Sequence, residues 1–328
     1  MAEDLLRIEN LRVGFGPRGR EHVAVDGVSL TLRQGEVLGI VGESGCGKSV
    51  TALSILGLVP DPPGRILGGR ILLRGRDLVG LDEAALNAVR GKEVSMIFQE
   101  PMTALNPLFR VGEQIAETLR VHERLGRAAA RARALALIRK VGIGNPEQRL
   151  DQYPHELSGG MRQRIMIAIA LACGPQVLIA DEPTTALDVT IQAQILALLR
   201  ELQRELGMGV VLITHDLGVV AQVVDRVIVM YAGQVVEEGD VQAVFARPSH
   251  PYTRLLLESI PALDSELARL PTIAGMVPSL ADLPPGCRFH PRCPAARPAC
   301  RERAPAPVEV GPGHRAACIA LTGYRHEA

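Results

Sequence analysis

This sequence has few lysines, no formal net charge and no apolar run of the length of a membrane helix. Only three of the 36 basic residues in the 328-residue chain are lysines, and the formal net charge at pH 7 is zero. A neutral chain is not held to nucleic acid by bulk charge, so we expect no nucleic-acid partner. The most apolar segment, residues 165–180, is interrupted by Gly-Pro-Gln before it reaches the roughly 20 residues of a membrane helix. Because the N-terminus also lacks the apolar core of a signal peptide, the sequence predicts a cytosolic protein.

Cysteine is scarce until the end of the chain. Six cysteines occur in all, and only Cys46 and Cys173 precede the last 42 residues. The other four are Cys287, Cys293, Cys300 and Cys318. Disulfides rarely persist in a reducing compartment, so clustered cysteines there more often bind metal or take part in catalysis.

Strands that alternate with helices dominate the first 245 residues. Alternating or wholly apolar runs predict strands at 5–13, 28–33, 37–41, 177–181 and 210–215. Helical periodicity extends from about 111 to 173 and returns at 190–206. This order predicts an α/β fold with a mostly parallel sheet, N-terminal antiparallel strands and a helical insertion at about 100–173.

The composition changes after about residue 245. A short helix between prolines, at 246–261, precedes the segment 284–312, which holds eight prolines. Such a tail has little hydrophobic means of forming a core of its own. We therefore predict a main domain over 1–245 and a small C-terminal extension over 246–328.

A phosphate-binding loop follows the apolar run 37–41. Residues 42–49, GESGCGKS, match the pattern GxxxxGK[ST] between a predicted buried strand and a predicted helix. Glycines let backbone amides wrap around phosphate oxygens, and the N-terminus of the helix adds its positive dipole. Lys48 is expected to reach the β- and γ-phosphates of a nucleotide, and the Ser49 hydroxyl to hold Mg²⁺.

Polar residues at the ends of further apolar strands are candidates for hydrolysis. Asp181 and Glu182 close the strand 177–181, where the first carboxylate can orient Mg²⁺ and the second can polarise a water. Gln99 and His215 each follow an apolar strand, from which they can point at the same nucleotide.

A second phosphate-binding element is predicted at residues 158–160. Ser158, Gly159 and Gly160 stand just before a long apolar helix, and a hydroxyl, open backbone and helix N-terminus suit an anion. Since the chain already has one such loop, the second indicates a phosphate shared across a dimer interface.

These motifs, in this order, resemble the ATP-binding cassette (ABC) family over about residues 5–245. LSGGMRQR at 157–164 is similar to the family's signature, and TTALD at 184–188 to its D-loop. Gln99 in FQEP resembles the Q-loop residue, and His215 in ITHD the switch histidine. Phe15 falls where the family places an aromatic ring that stacks on adenine.

The resemblance implies an ATPase that works as two cassettes packed head to tail. It implies that ATP is bound by Phe15, Gly42, Ser44, Gly45, Cys46, Gly47, Lys48, Ser49, Val50, Gln99 and Asp181. Mg²⁺ is expected among Ser49, Gln99 and Asp181. Glu182 is expected to act on the water and His215 to contact the γ-phosphate. Ser158, Gly159 and Gly160 would complete the ATP site of the partner cassette.

Three classes of cassette protein are open at this stage. They are an importer ATPase with separate permeases, a DNA-repair or chromosome ATPase, and a metal-binding regulator with a vestigial cassette. A single cassette without membrane spans or coiled-coil arms favours the first class, and an intact Glu182 argues against the third. Residues 99–117, 250–261 and 286–300 resemble dipeptide/oligopeptide importer ATPases. That subfamily also includes nickel, glutathione and antimicrobial-peptide systems.

The importer resemblance implies a set of partners and a place in the cell. It implies a second, paralogous ATPase subunit, two transmembrane permease subunits and an extracytoplasmic peptide-binding protein. The chain is then expected at the cytoplasmic face of the cell's plasma or inner membrane as a peripheral subunit.

The four C-terminal cysteines form a candidate metal site. They are separated by five, six and seventeen residues, which is wider than the close cysteine pairs typical of zinc sites. Four thiolates suit a [4Fe–4S] cluster, which the importer resemblance also favours, and zinc or four unrelated thiols stay open. A metal centre would staple a proline-rich tail that has little else to order it. His290 and His314 are backup ligands, although both are expected rather at the surface.

Overall fold

A computed structural model describes residues 4–100, 104–185, 187–260 and 272–321. The strands are β1 Asp4–Phe15, β2 His22–Arg33, β3 Val37–Val41, β4 Gly64–Leu73, β5 Arg76–Asp77, β6 Val94–Ile97, β7 Val177–Asp181, β8 Gly209–Ile213, β9 Arg226–Tyr231, β10 Gln234–Asp240, β11 Val308–Gly311 and β12 His314–Ala316. The helices are α1 Lys48–Ile55, α2 Glu83–Val89, α3 Val111–Glu123, α4 Arg127–Lys140, α5 Pro146–Arg149, α6 Gly159–Ala170, α7 Val189–Leu206, α8 Leu217–Val223, α9 Val241–Ala246, α10 Pro251–Glu258 and α11 Ala299–Glu302. Short 3₁₀ turns occur at Pro154–Glu156, His290–Arg292 and Ile319–Leu321.

The chain forms two compact units that are discontinuous in sequence. The first unit comprises Met1–Leu6, Leu32–Glu36 and Gly80–Ile213, and the second comprises Arg7–Thr31, Val37–Val79 and Thr214–Ala328. Among the described ranges, no helix is both long enough and apolar enough to cross a membrane.

Parallel strands and a group of helices make up the first unit. Strand β7 pairs in parallel with β6 on one side and with β8 on the other. Every residue of β7 and β8 is buried, which explains why both read as unbroken apolar runs. This part of the parallel-sheet prediction is confirmed, as is helix α7, predicted at 190–206 and observed at Val189–Leu206.

The predicted helical insertion is also confirmed, as helices α3 to α6. Helix α4 buries Ala130, Ala134 and Ile138, which recur four residues apart and therefore form one stripe. The small alanine side chains let a neighbouring helix approach closely, and α3, α4 and α6 pack against one another.

The second unit contains mixed sheets. One sheet has four strands in the order β2-β1-β4-β5, with β4 and β5 antiparallel. In addition β3 pairs in parallel with β9, whereas β9 and β10 are antiparallel. The turn between β9 and β10 consists of Ala232 and Gly233, whose φ angles are 44° and 84°. Two consecutive positive φ angles are typical of a tight hairpin, which can join only antiparallel strands, so the mostly parallel prediction is too simple here.

The C-terminal extension has its own means of becoming ordered. The β11–β12 hairpin continues the antiparallel pairing of β10, with Glu237 opposite Ala316. Phe289 is fully buried and lies 5.1 Å from the ring of Tyr231 and 5.3 Å from that of Tyr252. Strand pairing and an aromatic cluster therefore order the tail. The prediction that the tail depends on a metal centre for its order is wrong.

A buried carboxylate fastens the extension to β10. Glu237 accepts hydrogen bonds from the backbone amides of Ser249, at 2.7 Å, and His250, at 2.9 Å, and lies 2.7 Å from Nε2 of His314. His314 is buried, so the expectation that it lies at the surface is wrong. His290 is half-buried, and its Nδ1 lies 2.9 Å from the Cys287 carbonyl oxygen.

Candidate functional site

The phosphate loop in the second unit is built so that only glycine fits at its main turns. Gly42, Gly45 and Gly47 have φ angles of 148°, 79° and 100°, which residues other than glycine rarely adopt. A Cβ atom at Gly42 would lie 2.2 Å from the Met230 carbonyl oxygen, and one at Gly47 would lie 2.9 Å from that of Ala24. The loop therefore depends on its glycines for close backbone approach as well as for conformation.

Helix α1 begins at Lys48 without a side-chain cap, since its cap residue is Gly47. An uncapped helix start presents backbone amides and a positive dipole, which suit an anion. Lys48 is buried, and its Nζ donates to the carbonyl oxygens of Gly42 at 2.7 Å and Glu43 at 3.0 Å. The lysine that the sequence singled out is thus held over the loop.

The remaining predicted loop residues differ in exposure. Ser44 and Gly45 are exposed, Ser49 and Val50 are half-buried, and Cys46 is buried. Burial raises the pKa of the Cys46 thiol, against the opposing effect of Lys48, so this side chain is a packed thiol rather than a reactive thiolate.

Two further predicted residues lie in the second unit. Phe15 ends β1, and its ring packs so closely on Gly64 that a Cβ there would lie 2.6 Å from it. His215 is exposed just after β8, and the next residue, Asp216, caps helix α8 by accepting from the amide of Gly218 at 2.9 Å.

The first unit brings Gln99 and Glu182 together. Nε2 of Gln99 donates to the Glu182 carboxylate at 3.0 Å, and the Thr185 hydroxyl donates to the same oxygen at 2.8 Å. Glu182 has a φ angle of 46°, which is uncommon for a residue other than glycine and is found at functional sites. Asp181, one residue earlier, is the buried last residue of β7.

Ser158 caps the N-terminus of helix α6, as its position in the sequence predicts. Its hydroxyl accepts from the amide of Met161 at 3.4 Å. Ser158 and Gly159 are exposed, whereas a Cβ at Gly160 would lie 2.9 Å from Ile191. The helix start is therefore open to an external ligand at its first residues.

The four C-terminal cysteines lie in one region of the second unit. The amide of Cys287 donates to the Cys300 carbonyl oxygen at 2.8 Å. Burial raises the pKa of the Cys287 thiol, and the nearby thiols of Cys300, Cys318 and Cys293 raise it further. Within the described residues, however, no three His, Cys, Asp or Glu side chains are arranged to hold a metal ion. The structure gathers the cysteines but does not show the predicted metal staple.

Sequence reasoning missed three side chains that contact the site residues. Thr185 bonds to Glu182, the Tyr252 hydroxyl accepts from the amide of Glu43 at 2.9 Å, and Arg292 pairs with the Glu43 carboxylate. Thr185 lies within the D-loop motif, which could have indicated it. Tyr252 and Arg292 lie more than 200 positions from Glu43, and no local pattern connects them.

Comparison with known proteins matches both parts of the chain to sequence families. The profile described as ABC transporter matches residues 25–185. The profile described as oligopeptide/dipeptide transporter, C-terminal region, matches residues 236–300. Among solved structures, the post-hydrolysis dimer of the ATP-binding cassette MJ0796 bound to ADP and Pi superposes with a TM-score of 0.65 and 29% identity, over 72% of this chain and 98% of that one.

Curated relatives align along almost the whole chain. The oligopeptide transport ATP-binding protein AppD of Bacillus subtilis is 52% identical over 96% of both chains. The dipeptide transport ATP-binding protein DppD of Escherichia coli is 51% identical, also over 96% of both. The probable peptide ABC transporter ATP-binding protein y4tR of Sinorhizobium fredii is 54% identical over 97% of this chain and 95% of that one. With identity of this extent over both parts of the chain, the protein belongs to the ATP-binding subunits of the dipeptide/oligopeptide family of ABC transporters.

Proposed function

We propose that the chain is the ATP-hydrolysing subunit that powers import of dipeptides or oligopeptides through an ABC transporter. ATP binding is supported chiefly by one observation: the loop with three glycines at positive φ angles, which ends in the buried Lys48. We assign nucleotide contacts to Phe15, Gly42, Ser44, Gly45, Cys46, Gly47, Lys48, Ser49, Val50, Gln99 and Asp181. The peptide part is supported by the names of relatives that match over nearly their full length.

The proposed roles follow from the chemistry of each group. Ser49, Gln99 and Asp181 offer hydroxyl, amide and carboxylate oxygens, which are the ligand types that Mg²⁺ prefers, and the bound ion would neutralise phosphate charge. Glu182 accepts from Gln99 and Thr185, so its carboxylate is oriented and able to polarise a water. His215 is assigned to contact with the γ-phosphate, because it is exposed at the end of a strand.

Lys48→Ala tests the nucleotide site directly. The substitution removes the positive charge from the loop, and we expect affinity for a fluorescent ATP analogue to fall by at least tenfold. Lys140→Ala is the matched control, since Lys140 pairs with Glu205 at 2.8 Å in the first unit. Equal affinity of Lys48→Ala and the unsubstituted protein would contradict the assignment.

We further propose that the subunit works as one of a pair. Ser158, Gly159 and Gly160 would bind the phosphate held by the partner ATPase, a role supported by the exposed, capped start of α6. The partners proposed beyond that are a paralogous ATPase, two transmembrane permeases and an extracytoplasmic peptide-binding protein. In that assembly the chain lies peripherally at the cytoplasmic face of the plasma or inner membrane.

The domain assignment proposed here keeps residues 1–245 as the nucleotide-binding domain and 246–328 as the extension. The two family profiles, at 25–185 and 236–300, support a functional division near residue 240.

Import of peptides is tested by growth. A strain without this subunit is expected to lose growth on peptides as the only source of a required amino acid and to keep growth on the free amino acid. Normal peptide use together with failed nickel, glutathione or antimicrobial-peptide uptake would assign the subunit to a related importer. Normal use of all these solutes would instead favour an ABC ATPase outside transport.

The four cysteines are proposed as ligands of a [4Fe–4S] cluster, with zinc as the alternative. The donor set fits, because thiolates are the usual ligands of such clusters and the thiols of Cys300, Cys318 and Cys293 lie close enough to Cys287 to add to the effect of burial in raising its pKa. Protein purified without oxygen is expected to contain about four iron and four sulfide per chain. One zinc and no iron would support the alternative, and no metal would contradict both.

A further inference from the structure

Glu43 places a negative charge inside a loop proposed to bind a polyanion. It follows Gly42 directly, and its side chain is 29% exposed. Its carbonyl oxygen accepts from Lys48 at 3.0 Å, and its amide donates to the Tyr252 hydroxyl at 2.9 Å. The backbone of this residue therefore connects the phosphate-binding lysine to helix α10. An uncompensated carboxylate here would repel phosphate.

Arg292 of the C-terminal extension compensates that charge. Its two terminal nitrogens donate to the two Glu43 carboxylate oxygens at 2.7 Å and 2.9 Å, in a bidentate pair. The Arg292 side chain is only 5% exposed, so the pair is largely screened from water. Hydrogen bonding to Glu43 is also the main reason that the pKa of Arg292 is raised.

Contacts within the second unit keep the guanidinium in place. Nε of Arg292 donates to the Ala274 carbonyl oxygen at 2.9 Å, and the guanidinium lies 5.8 Å from the centre of the Tyr231 ring. Arg292 ends the 3₁₀ turn His290–Arg292, immediately before Cys293. Its position is therefore set by the cysteine segment, which we define as residues 287–300.

A second arginine of the cysteine segment supports the other side of the loop. Arg288 donates to the carbonyl oxygen of Ala232, and the amide of the next residue, Gly233, donates to the Cys46 carbonyl oxygen at 2.9 Å. Arg288 also forms an ion pair with Asp26. The cysteine segment thus reaches the phosphate loop directly through Arg292 and indirectly through the β9–β10 turn.

We propose that Arg292 is a positioning residue for nucleotide binding. Arg292 neutralises the Glu43 carboxylate, and the affinity of the phosphate loop for ATP therefore depends on the ordered cysteine segment. The inference rests on the proposed ATP site. It adds a dependence of that site on the C-terminal extension, through one ion pair.

A double-mutant cycle on the full-length protein tests this, with binding of mant-ATP followed by fluorescence. Arg292→Ala leaves Glu43 charged and unpaired, and we expect the Kd to rise about tenfold. In the double variant Glu43→Gln/Arg292→Ala the carboxylate is also gone, and most of the affinity is expected to return. Glu43→Gln alone is expected to stay within about threefold of the starting affinity. Recovery in the double variant separates charge compensation from a general loss of structure, which a second substitution would not repair.

Controls distinguish the failure of this inference from failure of the proposed function. Arg301→Ala changes an exposed arginine of the same extension and is expected to leave the Kd unchanged. If Arg292→Ala does not fold, as judged by circular dichroism, Arg292→Gln takes its place with the same expected direction. Unchanged affinity in the Arg292 variant, or no recovery in the double variant, overturns the inference when Lys48→Ala still weakens binding. Unchanged affinity in Lys48→Ala itself would instead overturn the proposed ATP site.

Discussion

The side-chain amide of Gln99 donates to the carboxylate of Glu182 at 3.0 Å, across 83 positions of sequence. Thr185 donates to the same carboxylate oxygen at 2.8 Å. Both donors fix the direction of the Glu182 carboxylate, which is what a group that polarises water requires.

Glu182→Gln is expected to abolish ATP hydrolysis while ATP binding persists. The amide keeps the size of the side chain but cannot take a proton from water, so we expect turnover in the assembled transporter to fall by at least a hundredfold. Phosphate release and ATP binding are measured on the same preparation. Glu201→Gln, in an exposed position of helix α7, is the control. Near-normal phosphate release by Glu182→Gln would remove this residue from the mechanism.

Gly42→Ala is expected to destroy the phosphate loop. A Cβ at this position would lie 2.2 Å from the Met230 carbonyl oxygen, and the backbone φ of 148° disfavours any side chain. We expect loss of mant-ATP binding and a lower melting temperature. Gly45→Ala is the comparison, because a Cβ there meets nothing within 4 Å although φ is 79°, and its effect is expected to be about 1 kcal/mol. Equal behaviour of the two variants would show that the close approach at Gly42 does not matter.

Acid is expected to loosen the extension through His250. Burial lowers the pKa of His250 from 6.5 to about 4, with Glu237 opposing the shift, and Nδ1 of the ring accepts from the Tyr252 amide at 3.1 Å. Because the folded-state pKa lies below the unfolded one, this contribution is present above pH 6.5 and is lost as pH falls towards 4. The loss amounts to about 3 kcal/mol over that range. Urea unfolding at pH 7 and pH 5 measures the part of this loss that occurs above pH 5, which is about 2 kcal/mol.

His250→Asn is the informative variant for this pH dependence, since asparagine can still accept the Tyr252 amide but does not titrate. We expect the difference in unfolding free energy between pH 7 and pH 5 to shrink in this variant. His155→Asn changes an exposed histidine of the first unit and is expected to leave the difference unchanged. A full pH dependence in His250→Asn would assign the acid sensitivity to other groups, such as Glu237, whose pKa is lowered by its hydrogen bonds in spite of burial.

Phe289→Ala is expected to release the extension from the rest of the second unit. The ring is 1% exposed and contacts both Tyr231 and Tyr252, so its removal is expected to cost about 3–5 kcal/mol. Limited proteolysis after residue 272 should become faster than in the unsubstituted protein. Met276→Ala is the control, because Met276 is 86% exposed. Unchanged proteolysis of Phe289→Ala would mean that strand pairing alone holds the extension.

The local elements of the phosphate site were predictable from sequence. Strand β3 and strand β7 are observed at the predicted residues 37–41 and 177–181, and Lys48 begins the helix after the glycine loop. These features arise from short-range causes: a run of apolar residues buried on both faces, and glycines required where φ is positive. A pattern of neighbouring residues therefore suffices to reveal them.

The contacts between distant residues depend on the tertiary structure and could not be predicted from the sequence. Glu43 and Arg292 are 249 positions apart, and Glu237 and His314 are 77 apart. Neither pair has a local signature, because a single charged residue in sequence is ordinary until folding removes it from water and requires a partner. For the same reason the sequence alone predicted, wrongly, that the proline-rich tail depends on a metal centre for its order. The buried Phe289 and the short β11–β12 hairpin stabilise the tail only through their contacts with aromatic rings and a strand edge elsewhere in the second unit.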